Sequence, residues 1–132
     1  MEYRFTNSDD YDTLVEFWKW HRFPAPKFEM LPNEMRDGIA VIQDNVILTA
    51  GFLYRTPSTF CFLEFIVSNP AIKDRKIREE SINLLIEVIS NVAKKMNFKI
   101  MFTFVKNDNL INKLKNNDFI TGSHSFEMVK IL

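Results

Sequence analysis

Two apolar segments, FCFLEFIV (60–67) and FKIMFTFV (98–105), are separated by one long amphipathic run. Within that run Ile77, Leu84, Leu85, Val88, Val92 and Met96 recur at the spacing of a single buried helix stripe. A strand, a long helix and a second strand leave the chain few options. The helix returns the chain along the sheet, so the two strands are expected to run parallel, joined by a crossover. The helix is expected from about Pro70 or Asp74 to Met96. FCFLEFIV is apolar on both faces, which predicts a central strand covered on both sides.

The segments before the crossover read as a meander. Tyr3 to Thr6 is a short strand, and Asn7 or Ser8 can cap a helix carrying Tyr11, Leu14, Val15 and Trp18 on one face. FPAP (23–26) stops that helix, because a proline disfavours helical geometry in the residue before it. A loop should follow to Asp37, with one helical turn near Asn33 to Met35. GIAVIQ (38–43) and VILTAGFLYR (46–55) are strands joined by a two-residue turn at Asp44-Asn45, and TPST (56–59) makes the next turn. After the crossover, Asn107 opens a short helix ending near Asn117, and Phe119–Thr121 with Phe126–Ile131 read as a closing pair of strands. The expected order is β α β β β α β α β β: an α/β fold with a mixed sheet, an antiparallel meander and one βαβ crossover.

Composition removes several functional classes. The chain of 132 residues has 17 basic and 17 acidic residues, so it offers no general attraction for nucleic acid or an anionic membrane. Its length suits one domain, 1–132. Cys61 is the lone cysteine and sits in an apolar run, which suits a buried thiol in a reducing, cytoplasmic setting. The amino terminus does not read as a signal peptide, and no apolar run approaches the ~20 residues of a membrane span. No His, Cys or carboxylate spacing resembles a metal site.

Glu64 interrupts an otherwise apolar strand. A buried carboxylate must be paired, hydrated or protonated, and desolvation raises its pKa toward the range of a general base. If Thr56–Thr59 form the hairpin loop, Arg55 faces Phe60 and Gly51 faces Glu64, leaving room beside the carboxylate. The alternative is an ion pair with Arg55, Arg36 or Arg4.

IKDRKIREESINLL (72–85) begins the long helix, where α/β proteins often hold a phosphate, yet it has no glycine. Two readings fit. Arg75 with Glu79 and Lys76 with Glu80 are i,i+4 pairs, and Asp74 can be the N-cap. Alternatively Lys73, Arg75, Lys76 and Arg78 supply side-chain donors in place of a backbone cradle. Trp18, Trp20, His21, Phe23 and Phe28 cluster around the first helix and read mainly as core, with His21 and His124 solvated.

The element order, carried by FLEFIVSNP running into IREESINLLIEVISNVAKKMNFKIMFTFV and then NDNLINKLKNNDF, resembles the GNAT N-acetyltransferase superfamily. The closing segment also resembles small GNAT-like proteins of tailed phages. The resemblance implies that the strands at 60–67 and 98–105 splay apart around the pantetheine arm of acetyl-CoA. The backbone of Ile66, Val67 and Ser68 would bond that arm, with Arg75, Lys76 and Arg78 near its phosphates. Glu79 and Ser81 stand where the family has small residues in its phosphate loop, and Asn107 and Asn109 follow a strand end that often touches the coenzyme. In several members a Glu on the strand of Glu64 deprotonates the acceptor amine through water. The acceptor would be a small-molecule or peptide amine, and members are often homodimers. Leu114 stands where the family often has a tyrosine acid. The departures leave a second expectation open: a non-catalytic GNAT-like protein, such as a phage structural or host-interaction factor.

Overall fold

The computed structural model describes residues 1–132. Five strands form one sheet in the order β1-β2-β3-β4-β5: β1 Glu2–Phe5, β2 Gly38–Gln43, β3 Val46–Tyr54, β4 Phe60–Ser68 and β5 Ile100–Phe102. The first four are antiparallel neighbours, and β4 pairs with β5 in parallel. Helices α1 (Tyr11–Trp20), α2 (Arg75–Lys95) and α3 (Asp108–Asn116) complete the fold. The expected meander and crossover are both present.

Local chemistry explains most boundaries. Asn7 and Asp10 form a reciprocal capping box on the turn that leads into α1, and Arg4 grips the Asp10 carboxylate at 2.8 Å. Asp44 and Asn45 both adopt positive φ, as a two-residue turn matched to strand twist requires. Asp74 caps α2, accepting from the N–H groups of Lys76 and Ile77. Replacing Asp74 with alanine is expected to cost about 1 kcal/mol, readable as a lower urea midpoint with an unchanged denaturant slope.

The core lies on both sides of the sheet. Ile39, Val41, Leu53 and Leu63 meet Leu85, Ile86 and Ile89 of α2 on one face. Ala40, Ala50, Phe52 and Val67 meet Leu14 and Trp18 of α1, together with Met35, on the other. No helix is long and apolar enough to cross a membrane.

Four expectations are corrected. First, β3 rather than β4 is the strand buried along nearly its whole length. Cys61, Leu63 and Val67 of β4 are buried, but Phe60, Phe62 and Glu64 face a side that no helix fully covers. Second, β4 pairs with β3 one residue out of the expected register: Phe52, not Gly51, faces Glu64, and Tyr54 faces Phe62. The hairpin loop is shorter at its start, since the Thr56 hydroxyl donates back to the Phe60 carbonyl. Gly51 therefore lies on the α2 face, where an added Cβ would sit 3.3 Å from Leu85. Third, β5 pairs over only Ile100–Phe102 rather than 98–105. Fourth, the closing strands at 119–121 and 126–131 do not form. Their alternation suits a strand, but a short hairpin needs a face to bury against, and Ile120 and Phe126 remain 92 % exposed.

Candidate functional site

The site begins with an irregularity in β4. Ala50 pairs with Val67 and Phe52 with Glu64, so Gly51 alone faces the two residues Phe65 and Ile66. This is a β-bulge, and Phe65 carries its left-handed backbone, φ 57°. A bulky residue adopts that region only when its surroundings hold it there. Trp18, Phe23 and Tyr54 do so, with ring centroids 6.2–6.4 Å from that of Phe65. The bulge breaks the alternation of the strand. Glu64 and Phe65 both project to the α1 side, while Ile66 turns toward Gly51 and α2.

β4 and β5 separate at the same level. Their ladder ends at Phe62–Phe102, and Glu64 to Ser68 have no strand partner on that side. A side chain bridges the opening: the Phe104 N–H donates to Glu64 Oε1 at 3.2 Å. Glu64, Tyr54, Phe62, Phe65 and Phe104 line an open groove of about 320 Å³.

Glu64 has no ion pair. Arg4 is held by Asp10, Arg55 is held by Asp37 at 2.9 Å, and Arg36 bonds Asn33. Burial pushes the Glu64 carboxyl up to about 6; the Phe104 N–H pulls it down, and the nearby charge of Glu127 on the C-terminal segment pushes it up. Such a group is ionised at neutral pH yet holds a proton easily, as a general base must. Burial, followed by the charge of Glu64, raises the Tyr54 phenol to about 12. Its hydroxyl donates to the Met30 carbonyl at 2.8 Å, tying the loop before β2 to the groove wall.

The other residues singled out in the sequence divide into two groups. Ile66, Val67 and Ser68 lie along the opening. The Val67 carbonyl accepts from the Thr49 hydroxyl, and the Ser68 carbonyl meets the His21 ring at 2.9 Å. His21 is thus exposed but bonded to the sheet, not simply solvated. Arg75, Lys76 and Arg78 lie at the start of α2. Arg75 pairs with Glu79 at 3.1 Å and Lys76 with Glu80 at 3.9 Å, while Arg78 has no ion pair. Lys73 lies 5.5 Å from the centre of the Trp20 ring. Ser81 is buried, its hydroxyl donating to the Arg78 carbonyl. Asn107 caps α3 through the Leu110 N–H, and Asn109 is exposed on that helix. The Cys61 thiol is buried and its pKa raised by that burial, which leaves it unreactive.

Sequence reasoning missed Tyr54, Phe65 and Phe104. Tyr54 could have been found from the alternation of β3 once the register was right. Phe65 could not, because simple alternation places it on the opposite face.

No family model matches the chain, and no curated protein matches it in sequence. Solved structures match it in fold. A protein of Thermus thermophilus superposes with TM-score 0.68 at 13% identity, covering 100% of this chain and 98% of that one. N-acetylglutamate synthase from Neisseria gonorrhoeae, complexed with coenzyme A and L-arginine, gives TM-score 0.73 at 15% identity, covering 92% of this chain and 28% of that one. A Mycobacterium tuberculosis protein in complex with CoA gives 0.64 at 10% identity, covering 87% and 70%. The chain has the fold of these structures, which is the fold that the GNAT resemblance in its sequence implies.

Proposed function

We propose that residues 1–132 act as one acyltransferase domain that moves an acetyl group from acetyl-CoA to a primary amine. One observation carries this reading: Glu64 is a carboxylate without an ion pair at the point where β4 and β5 part. The residues present fit the coenzyme's arm. A strand edge from Glu64 to Ser68 lacks a partner, as a ligand that bonds to backbone requires. The Ile66 backbone would bond the arm, flanked by Val67 and Ser68. The phosphates would meet side chains instead of free amides, because Asp74 already occupies the N–H groups of Lys76 and Ile77. Arg78 and Lys73 have no carboxylate partner, and the pairs of Arg75 and Lys76 are exposed and easily redirected. Asn107 and Asn109 would flank the coenzyme from the far side of the opening.

Acetyl-CoA supplies a thioester carbon: the amine nitrogen bonds to it, the C–S bond breaks, and its electron pair leaves on sulfur. An amine enters as an ammonium. Glu64 takes one proton from it through water, freeing the lone pair that attacks. The second proton leaves nitrogen after attack and passes through water to the departing sulfur. Glu64 then releases its own proton to solvent, giving amide, free thiol and one H⁺. The aromatic walls partly bury the carboxylate and so keep its pKa raised, while the open side of the groove leaves it in reach of water.

A specific observation favours a second reading, a non-catalytic protein on the same fold, as in a phage structural or host-interaction factor. The Asp74 carboxylate stands where a phosphate would sit at the start of α2. A thermal melt separates the two. Acetyl-CoA at about 100 times its Kd should add about 2.7 kcal/mol of stability. A melting temperature unmoved by millimolar acetyl-CoA would leave only the second reading.

A further inference from the structure

The groove around Glu64 also carries information about what it would accept. Its other four lining residues are Tyr54, Phe62, Phe65 and Phe104. The aromatic surface continues beyond them, with Phe62 stacked on Phe104 at 6.2 Å and tilted against Phe102 at 5.9 Å. Phe104 and Phe102 are exposed. This is a costly arrangement in water unless something apolar covers it.

Charge narrows the occupant. No basic side chain lines the groove, and Arg4, Arg36 and Arg55 are each engaged elsewhere. The second charge felt at Glu64 is another carboxylate, Glu127. Aromatic faces carry partial negative charge and attract ammonium groups. The one charge that lines the groove is therefore negative, and it is set among apolar aromatic walls. A volume of about 320 Å³ is at the small end for a small-molecule site.

We infer that the groove takes a small primary amine with one positive charge and an aromatic or bulky apolar body, and disfavours amines that carry a carboxylate. The ammonium sits at Glu64, and the apolar body lies between Phe62, Phe65 and Phe104. A carboxylate-bearing acceptor would place its anion beside Glu64 and Glu127 without a cation to meet it. As an acceptor class, this rests on the acyl-transfer reading above; as a binding preference, it does not.

The test uses the full chain without acetyl-CoA. 2-Phenylethylamine and L-glutamate are titrated separately, and binding is followed by chemical-shift changes. 2-Phenylethylamine is expected to bind at least tenfold more tightly than L-glutamate. Phe104 is exposed, so Phe104→Ala should fold; it is expected to weaken 2-phenylethylamine roughly five- to tenfold, while Phe104→Tyr restores it. Equal or tighter binding of L-glutamate, or no effect of Phe104→Ala, would overturn the inference. Each amine is then offered with acetyl-CoA. Tight 2-phenylethylamine binding without acetylation supports the groove's preference and removes acyl transfer. Acetylation of L-glutamate in preference to 2-phenylethylamine keeps acyl transfer and overturns the inference.

Discussion

Glu64→Gln is expected to lower kcat by roughly 100- to 10,000-fold, the range for losing a general base, while the stabilisation by acetyl-CoA persists. The amide is nearly the same size, and its oxygen can still accept the Phe104 N–H now bonded to Glu64. Geometry is therefore retained and only the proton acceptor is lost. In the parent protein, kcat/KM should rise with pH through about 6, where the carboxyl ionises. The variant should lack that acidic limb. A variant with parental turnover, or an unchanged limb, would remove Glu64 from the chemistry.

The same substitution has a stability signature of opposite sign. The folded carboxyl holds its proton up to about 6, against an ordinary value of 4.5. Well below 4.5 both folded and unfolded states are protonated, and the group contributes nothing. Between 4.5 and about 6 the unfolded chain ionises first, so the folded state loses stability as pH rises. Above about 6 the penalty is complete. Its ceiling is about 2 kcal/mol, and the half-exposed setting reduces it to roughly 1 kcal/mol. Glu64→Gln should thus be about 1 kcal/mol more stable than the parent at about pH 8 and equal to it at about pH 4. Urea unfolding at the two pH values reads this directly. Losing activity while gaining stability is the pattern of a functional residue held at a thermodynamic cost.

Gly38→Ala is expected to destabilise the protein by about 3 kcal/mol, at the upper end of overpacking costs. Gly38 opens β2 and pairs with Phe52. An added Cβ would fall 2.6 Å from Cδ1 and Cε1 of the Phe52 ring and would also collide with the Thr6 hydroxyl oxygen. Neither neighbour can yield easily. Phe52 is fully buried against Trp18, and Thr6 is fixed by bonds to the backbone of Gly38 and Met35. Gly38 does not have a positive φ, so the effect comes from space alone. Without the clash, alanine in a strand would be stabilising by about 0.5–1 kcal/mol. A neutral or favourable Gly38→Ala would therefore contradict the packing described. Phe52→Leu in the same chain should recover part of the loss, and a double-mutant cycle measures that coupling.

The parts of the fold legible in sequence are those set by local chemistry. The stripe from Ile77 to Val92 specified α2, and its start, open in the sequence between Pro70 and Asp74, falls at the Asp74 cap. Asp44-Asn45 specified the first hairpin, and Asn107 specified α3. Glu64 was visible as a candidate because a lone carboxylate in an apolar strand is physically expensive wherever that strand lies. The i,i+4 pairs at the start of α2 formed as their spacing implied.

What surrounds Glu64 depended on contacts between distant segments. Register came from one residue of hairpin loop, which moved Phe52 rather than Gly51 opposite Glu64. The bulge came from Trp18, Phe23 and Tyr54 holding Phe65 in a backbone region it would not adopt alone. The Phe119–Thr121 and Phe126–Ile131 segments alternate like strands, yet found no ladder beyond the three paired residues of β5. Sequence by itself determined the elements from β1 to α3, their order and one carboxylate, because helix stripes, caps and turns act within a few residues. Tertiary structure alone decided where β4 leaves β5 and which aromatic rings enclose that carboxylate, because strand pairing joins residues whose separation along the chain has no period to read.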